Sequence, residues 1–171
     1  MQLIRCTKKL QREIELQQSD LAETEPPFSR LGSWHANLLY IDRRKCVLFT
    51  NDKTLLTFLV PDVSRASIRK LQRLFRSSLA CVVADEKLNP EAIESIDAEY
   101  RDLGFANTNN RSVLGSMNDL AFHYEHHIRE EGGMHRCDLP AIIRRLNRMP
   151  MSATAFTFPI EGLKALYGCT I

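Results

Sequence analysis

His123 and His127 stand four residues apart in the segment NTNNRSVLGSMNDLAFHYEHH (107–127), the spacing at which two imidazoles on one helix face share an ion. His126 is their neighbour, Glu131 extends the same line, and His35 and His135 are the remaining histidines. The H-E-x-x-H pattern is not met, because Tyr124 stands where a metalloprotease needs its glutamate. Spacing fixes no third ligand, so the expectation is no metal and no other cofactor, with His123 and His127 as the alternative. Asp119 lies one turn before His123, where it either orients that ring or simply faces water. A hydrolase or nuclease built on Asp119, His123 and Arg111 is the enzymatic alternative. Nothing selects a nucleophile: G-x-S-x-G, P-loop and G-x-G-x-x-G are all missing.

The same stretch opens on Asn110, Arg111 and Ser112. The first amides of a helix attract anions, and Arg111 beside them favours a phosphate or carboxylate. Plain capping by Asn110 or Ser112 competes for the same amides. Val113, Leu114, Met117, Leu120, Ala121, Tyr124 and Ile128 fall in one arc of about 120°, a core-facing stripe that leaves Asn118 and Asp119 on the polar side. Gly115 lies off that stripe, where close approach of a backbone or ligand is the usual reason for a glycine.

Basic residues gather in two further places. From Val63 to Ala84 there is no acid, while Arg65, Arg69, Arg73 and Arg76 fall within about 80° of one another on a helical wheel. Such a ridge suits nucleic-acid phosphates, which Arg binds in bidentate fashion. The acidic stretch that begins at Asp85 is placed to pack alongside and answer that charge. The aromatic interleaving of single-strand binders is missing. Arg43, Arg44 and Lys45 form the second cluster, between the apolar runs WHANLLYID and KCVLFTN.

Those runs predict an antiparallel hairpin, and TLLTFLV a third strand, with a short helix capped by Asp52 as its alternative. Because Leu38, Leu39, Tyr40 and Ile41 point to both faces, the sheet must be covered on both sides, by helices or by a second copy of the chain. QLIRC reads as a strand, and Thr7 as the cap of a helix over 8–17. Helices are expected over 64–83, 89–104, 112–130, 138–149 and 159–168, with a last strand over 153–158. The fold class is therefore α+β: a small, mostly antiparallel sheet over about 34–60 with four to six packed helices, in a single domain over 1–171.

The 171 residues carry a formal charge of +2, which neither demands nor excludes an anionic partner. Five cysteines with no C-x-x-C spacing argue against a disulfide framework, and no apolar run is long enough for a membrane span. A cytoplasmic home is expected.

The blocks IRCTKKL, WHANLLYIDRRKCVLFTNDKTL and NTNNRSVLGSMNDLAF resemble a family of small bacterial proteins defined only as a domain of unknown function. The resemblance spans about residues 2–149 and implies a stand-alone intracellular domain without naming an activity. Within these blocks the expected ligand site brings Arg43, Arg44 and Asn51 at the hairpin against Asn110, Arg111, Ser112 and Asn118 at the helix start. Its ligand would carry phosphate, as nucleic acid or a nucleotide. The leading expectation is thus a non-enzymatic binding domain; a protein-interaction or self-assembling module, such as a homodimer, is the remaining alternative.

Overall fold

The computed structural model describes residues 1–24, 29–155 and 158–169. Its strands are β1 (Gln2–Cys6), β2 (Trp34–Ile41), β3 (Arg44–Asn51), β4 (Thr57–Val60) and β5 (Leu103–Asn107). Its helices are α1 (Lys8–Glu13), α2 (Arg65–Ile68), α3 (Leu71–Asp85), α4 (Pro90–Glu99), α5 (Arg111–Glu130), α6 (Leu139–Leu146) and α7 (Pro159–Leu166). The fold class is α+β, with one sheet in the order β4-β3-β2-β1-β5.

The hairpin and third strand expected over 34–60 form β2, β3 and β4, each antiparallel to the next. To that meander β1 and β5 add in parallel, with β1 between β2 and β5. Parallel neighbours need long crossovers, which the chain supplies as α1 with its following loop and as α2 to α4.

Strand alternation sends two apolar sets to opposite sides. Ile4, Cys6, Trp34, Ala36, Leu38, Val47, Phe49 and Phe58 pack with Leu10 of α1, Phe75 of α3, Ile96 of α4 and Leu163 of α7. The Trp34 ring is the hub, 5.4 Å from Phe58 and 5.3 Å from Phe75. On the other side Ile41, Cys46, Leu48 and Leu59 meet Met117, Leu120 and Tyr124 of α5 and Ile142 and Leu146 of α6. Helices thus cover both faces, as the two-sided strands require.

Several boundaries differ from the sequence expectation. Ser64 caps α2, but Lys70 (φ −105°, ψ 43°) leaves helical space, so the helix expected over 64–83 becomes α2 and α3. The helix expected over 89–104 ends at Glu99, because Leu103 and Gly104 pair with β1. The first helix stops at Glu13, short of residue 17. The strand expected over 153–158 includes 156–157, which lie outside the described residues, while 153–155 form turn and bend. No helix among the described residues is long and apolar enough to cross a membrane.

Candidate functional site

The amides at the start of α5 are already engaged. Asn110 Oδ1 accepts from Ser112 N at 3.0 Å and Val113 N at 3.2 Å, using two of the donors that an anion would need. Arg111 and Ser112 are exposed beside that cap, and Asn118 and Asp119 face solvent one to two turns on. Neither hydrogen bond nor ion pair joins Asp119 to His123 or His123 to His127 among the described residues. His127 turns to Glu130 (3.5 Å) and Arg145 (3.3 Å) instead. Nor do the described residues contain a group of three His, Cys, Asp or Glu side chains able to hold a metal.

The hairpin end lies elsewhere. Asp42 Oδ2 accepts from Met134 N at 2.8 Å, which docks the β2–β3 turn beyond the last turn of α5. With 20 residues, α5 holds the turn and Arg111 about 30 Å apart along its axis. Arg44 grips Asp62 with two bonds of 2.7 and 2.6 Å and also contacts the His135 ring, while Arg43 is exposed at the tip. Asn51 does not reach the helix start. Its amide donates to Leu31 O and Ser33 O and accepts from Lys53 N and Thr54 N, so it serves as a buried turn brace. Arg43 and Arg44 do not meet Arg111 because α5 lies between them, and Asn51 stands at the opposite end of β3 from their turn, engaged by its own loop.

The arginine ridge is partly answered. Arg65 and Arg69 both bind Glu15 Oε1, which holds that carboxyl below its ordinary range, and Arg76 Nη2 donates to Asp97 Oδ1 at 2.9 Å. At the end of the ridge a recess of about 640 Å³ opens between α3, the end of α4 and the start of β5. Arg73, Arg76 and Arg101 line it together with Gln72, Asp97 and Asp102. Asp97 is engaged by Arg76, and Asp102 by the chain's terminal amine at 3.5 Å. Arg73 and Arg101 are exposed and carry no carboxylate partner among the described residues. Arg76 Nε is buried in its surroundings without a hydrogen-bond partner. Arg101 was invisible to the wheel because it sits past the end of α4, on another element.

Two polar groups went unnoticed in the sequence. At the carboxyl ends of β1 and β5, Asn107 Oδ1 accepts from Lys8 Nζ (2.9 Å) and Gln11 Nε2 (3.1 Å), and Thr7 Oγ1 donates to Asn37 Oδ1 (2.9 Å). These bonds tie the three family-like blocks together. The second group crosses the sheet under α5. There Ala106, Arg5, His35, Thr50 and Thr57 are successive register partners from β5 to β4. Asp52 stands at its margin, with Oδ1 2.6 Å from His35 Nδ1 and Oδ2 3.5 Å from Arg5 Nε. A histidine held by a carboxylate supplies two of the three members of a catalytic triad, yet His35 is 0% exposed, so no substrate reaches it in this arrangement. The signal that marks this group in sequence is an Arg and a His set inside otherwise apolar strands.

The chain matches the family described as a domain of unknown function, DUF6933, over residues 3–162. It belongs to that family. No curated protein and no solved structure matches it. The DUF6933 match takes in the arginine recess, the buried polar row and both helices that cover the row, so all three lie within the family's extent.

Proposed function

We propose that this DUF6933 chain is a non-enzymatic, intracellular binding domain for a phosphate-bearing partner, nucleic acid or nucleotide, which it holds in the recess of Arg73, Arg76 and Arg101. The observation that carries the reading is that recess. Two of its guanidiniums have no carboxylate partner among the described residues, and both of its carboxylates are already engaged. Guanidinium forks facing one concavity suit phosphate oxygens in number and geometry. The ridge of Arg65 and Arg69, two cations against one Glu15, extends the positive surface along α2.

The test is fluorescence anisotropy with labelled single- and double-stranded DNA, RNA and a nucleoside triphosphate across a salt series. Binding is expected to weaken as salt rises, and Arg73→Glu with Arg101→Glu to weaken it at least tenfold. Each phosphate contact removed should lower the slope of log affinity against log salt by roughly one. Arg129→Glu, on the far end of α5, serves as the control and should change little. Absence of salt-dependent binding to all four probes ends the reading.

Self-association is the second reading, favoured by Phe122 of α5, which is 68% exposed and stacked on His126. Its test is sedimentation velocity: a dimer that Phe122→Ser converts to monomer supports it, and a monomer at all concentrations removes it.

A further inference from the structure

Arg5, His35, Thr50 and Thr57 share the sheet face that lies beneath α5. Tyr124 descends from α5 onto the end of this row, its hydroxyl beside Thr57. Three polar atoms along this row, His35 Nε2, Thr50 Oγ1 on the register partner of His35, and Tyr124 OH beside the next strand's Thr57, are buried without a hydrogen-bond partner among the described residues. All three residues are 0% exposed, so bulk solvent does not satisfy them. Native folds pair nearly all such groups, and three orphans on adjoining positions point to one shared partner.

None of the neighbouring groups makes a full hydrogen bond to these three atoms. Thr57 Oγ1 gives its one hydrogen to Phe49 O at 3.0 Å and can only accept from the Tyr124 hydroxyl beside it, a contact that falls short of hydrogen-bond geometry. Arg5 Nη1 donates to Asn107 O at 3.3 Å. His35 Nδ1 faces Asp52 Oδ1, a carboxylate oxygen that only accepts, so Nδ1 spends its hydrogen there and Nε2 is left for another partner.

We infer that His35 Nε2, Thr50 Oγ1 and Tyr124 OH form an internal binding site for one small neutral hydrogen-bonding molecule, filled in the cell by water, that bonds α5 to the sheet. The guest bonds to His35 Nε2 and exchanges hydrogen bonds with two hydroxyls, each of which gives or takes a proton. Water meets all three demands and is small enough for a site closed on every side. A cation is opposed by the Arg5 guanidinium and by the lack of a carboxylate on this trio; an anion is opposed by the Asp52 carboxylate held against His35. The site is independent of the arginine recess, which lies beside α3 and α4.

The experiment uses the full chain in water enriched in oxygen-17, read by magnetic relaxation dispersion, together with water-to-protein cross peaks at the His35 ring. The expected result is a long-lived internal water whose cross peak appears at His35 and which Thr50→Val with Tyr124→Phe removes. The unfolding equilibrium constants of the two single variants should then fail to multiply, because both lose the same guest. A wild-type spectrum with no water cross peak at the His35 ring overturns the proposal, and this readout stands even where a variant does not fold. Single-variant effects that multiply fully in a folded double variant overturn it as well.

Discussion

Gly115 shows what a single residue contributes when its surroundings are open. A glycine within a helix invites the idea of close approach, yet a side-chain carbon built there meets nothing within 4 Å. Its backbone is helical and its position exposed, so the missing methyl only enlarges the freedom of the unfolded chain. Gly115→Ala is therefore expected to stabilise the protein by about 0.5–1 kcal/mol in urea unfolding; a loss of stability would mean that the position serves a contact absent from the free chain. The hairpin turn runs the other way. Asp42 (φ 49°) and Arg43 (φ 61°) both occupy the left-handed region, where L-residues are disfavoured. Asp42 earns its place through the Met134 amide, and Gly133 must stay a glycine because a side-chain carbon there would sit 2.7 Å from Asp42 Oδ2. Arg43 is exposed at the tip, so Arg43→Gly should raise stability by a few tenths to about 1 kcal/mol, measured in the same way.

At the scale of elements, termini and edges explain which parts of the fold the sequence made legible. Thr7, Asn89, Asn110 and Asp138 each accept a backbone hydrogen in the first turn that follows them, and each is readable as a cap from residue type alone. Lys70 carries no such mark. Its departure from the helix is set by how α2 and α3 pack, so the split between them was not legible. The edge of β4 is likewise a tertiary feature: Asn147, just past α6, donates to Thr57 O at 2.9 Å and accepts from Thr57 N at 2.8 Å. This side chain occupies the place of a neighbouring strand, blunting the open edge. Asn147→Ala strands both groups in a buried position and should cost about 2–3 kcal/mol, against roughly 1 kcal/mol for Asn110→Ala at an exposed cap. Equal losses in urea unfolding would refute the bridging role assigned to Asn147.

Over the whole molecule, the hairpin, the core stripe of α5 and the need for cover on both faces were all visible as local patterns. The parallel places of β1 and β5 were not, because register between strands about 100 residues apart is written in packing and in no local motif. The same limit hid the recess, whose Arg73 and Arg101 come from separate elements, and the polar row, whose members come from four strands. Whether the two helical layers and the sheet unfold as one unit is testable with the protein's own thiols. Cys6 is buried in the core of one face and Cys46 in that of the other, whereas Cys81 is exposed on α3. Burial raises the Cys6 thiol far above its ordinary range and pushes Cys46 up to about 11 from 9.0. A raised pKa means that the native state holds its proton where the unfolded chain releases it. The stabilisation is complete below about pH 9 and is lost as pH climbs through about 11, so unfolding midpoints should fall across that window. Cys46→Ala should flatten part of the fall. At neutral pH a thiol reagent should modify Cys81 at once, and Cys6 and Cys46 together at the rate of global unfolding. Modification of Cys46 well before Cys6 would show that the α5–α6 layer opens by itself, and the two faces would then be separate cooperative units.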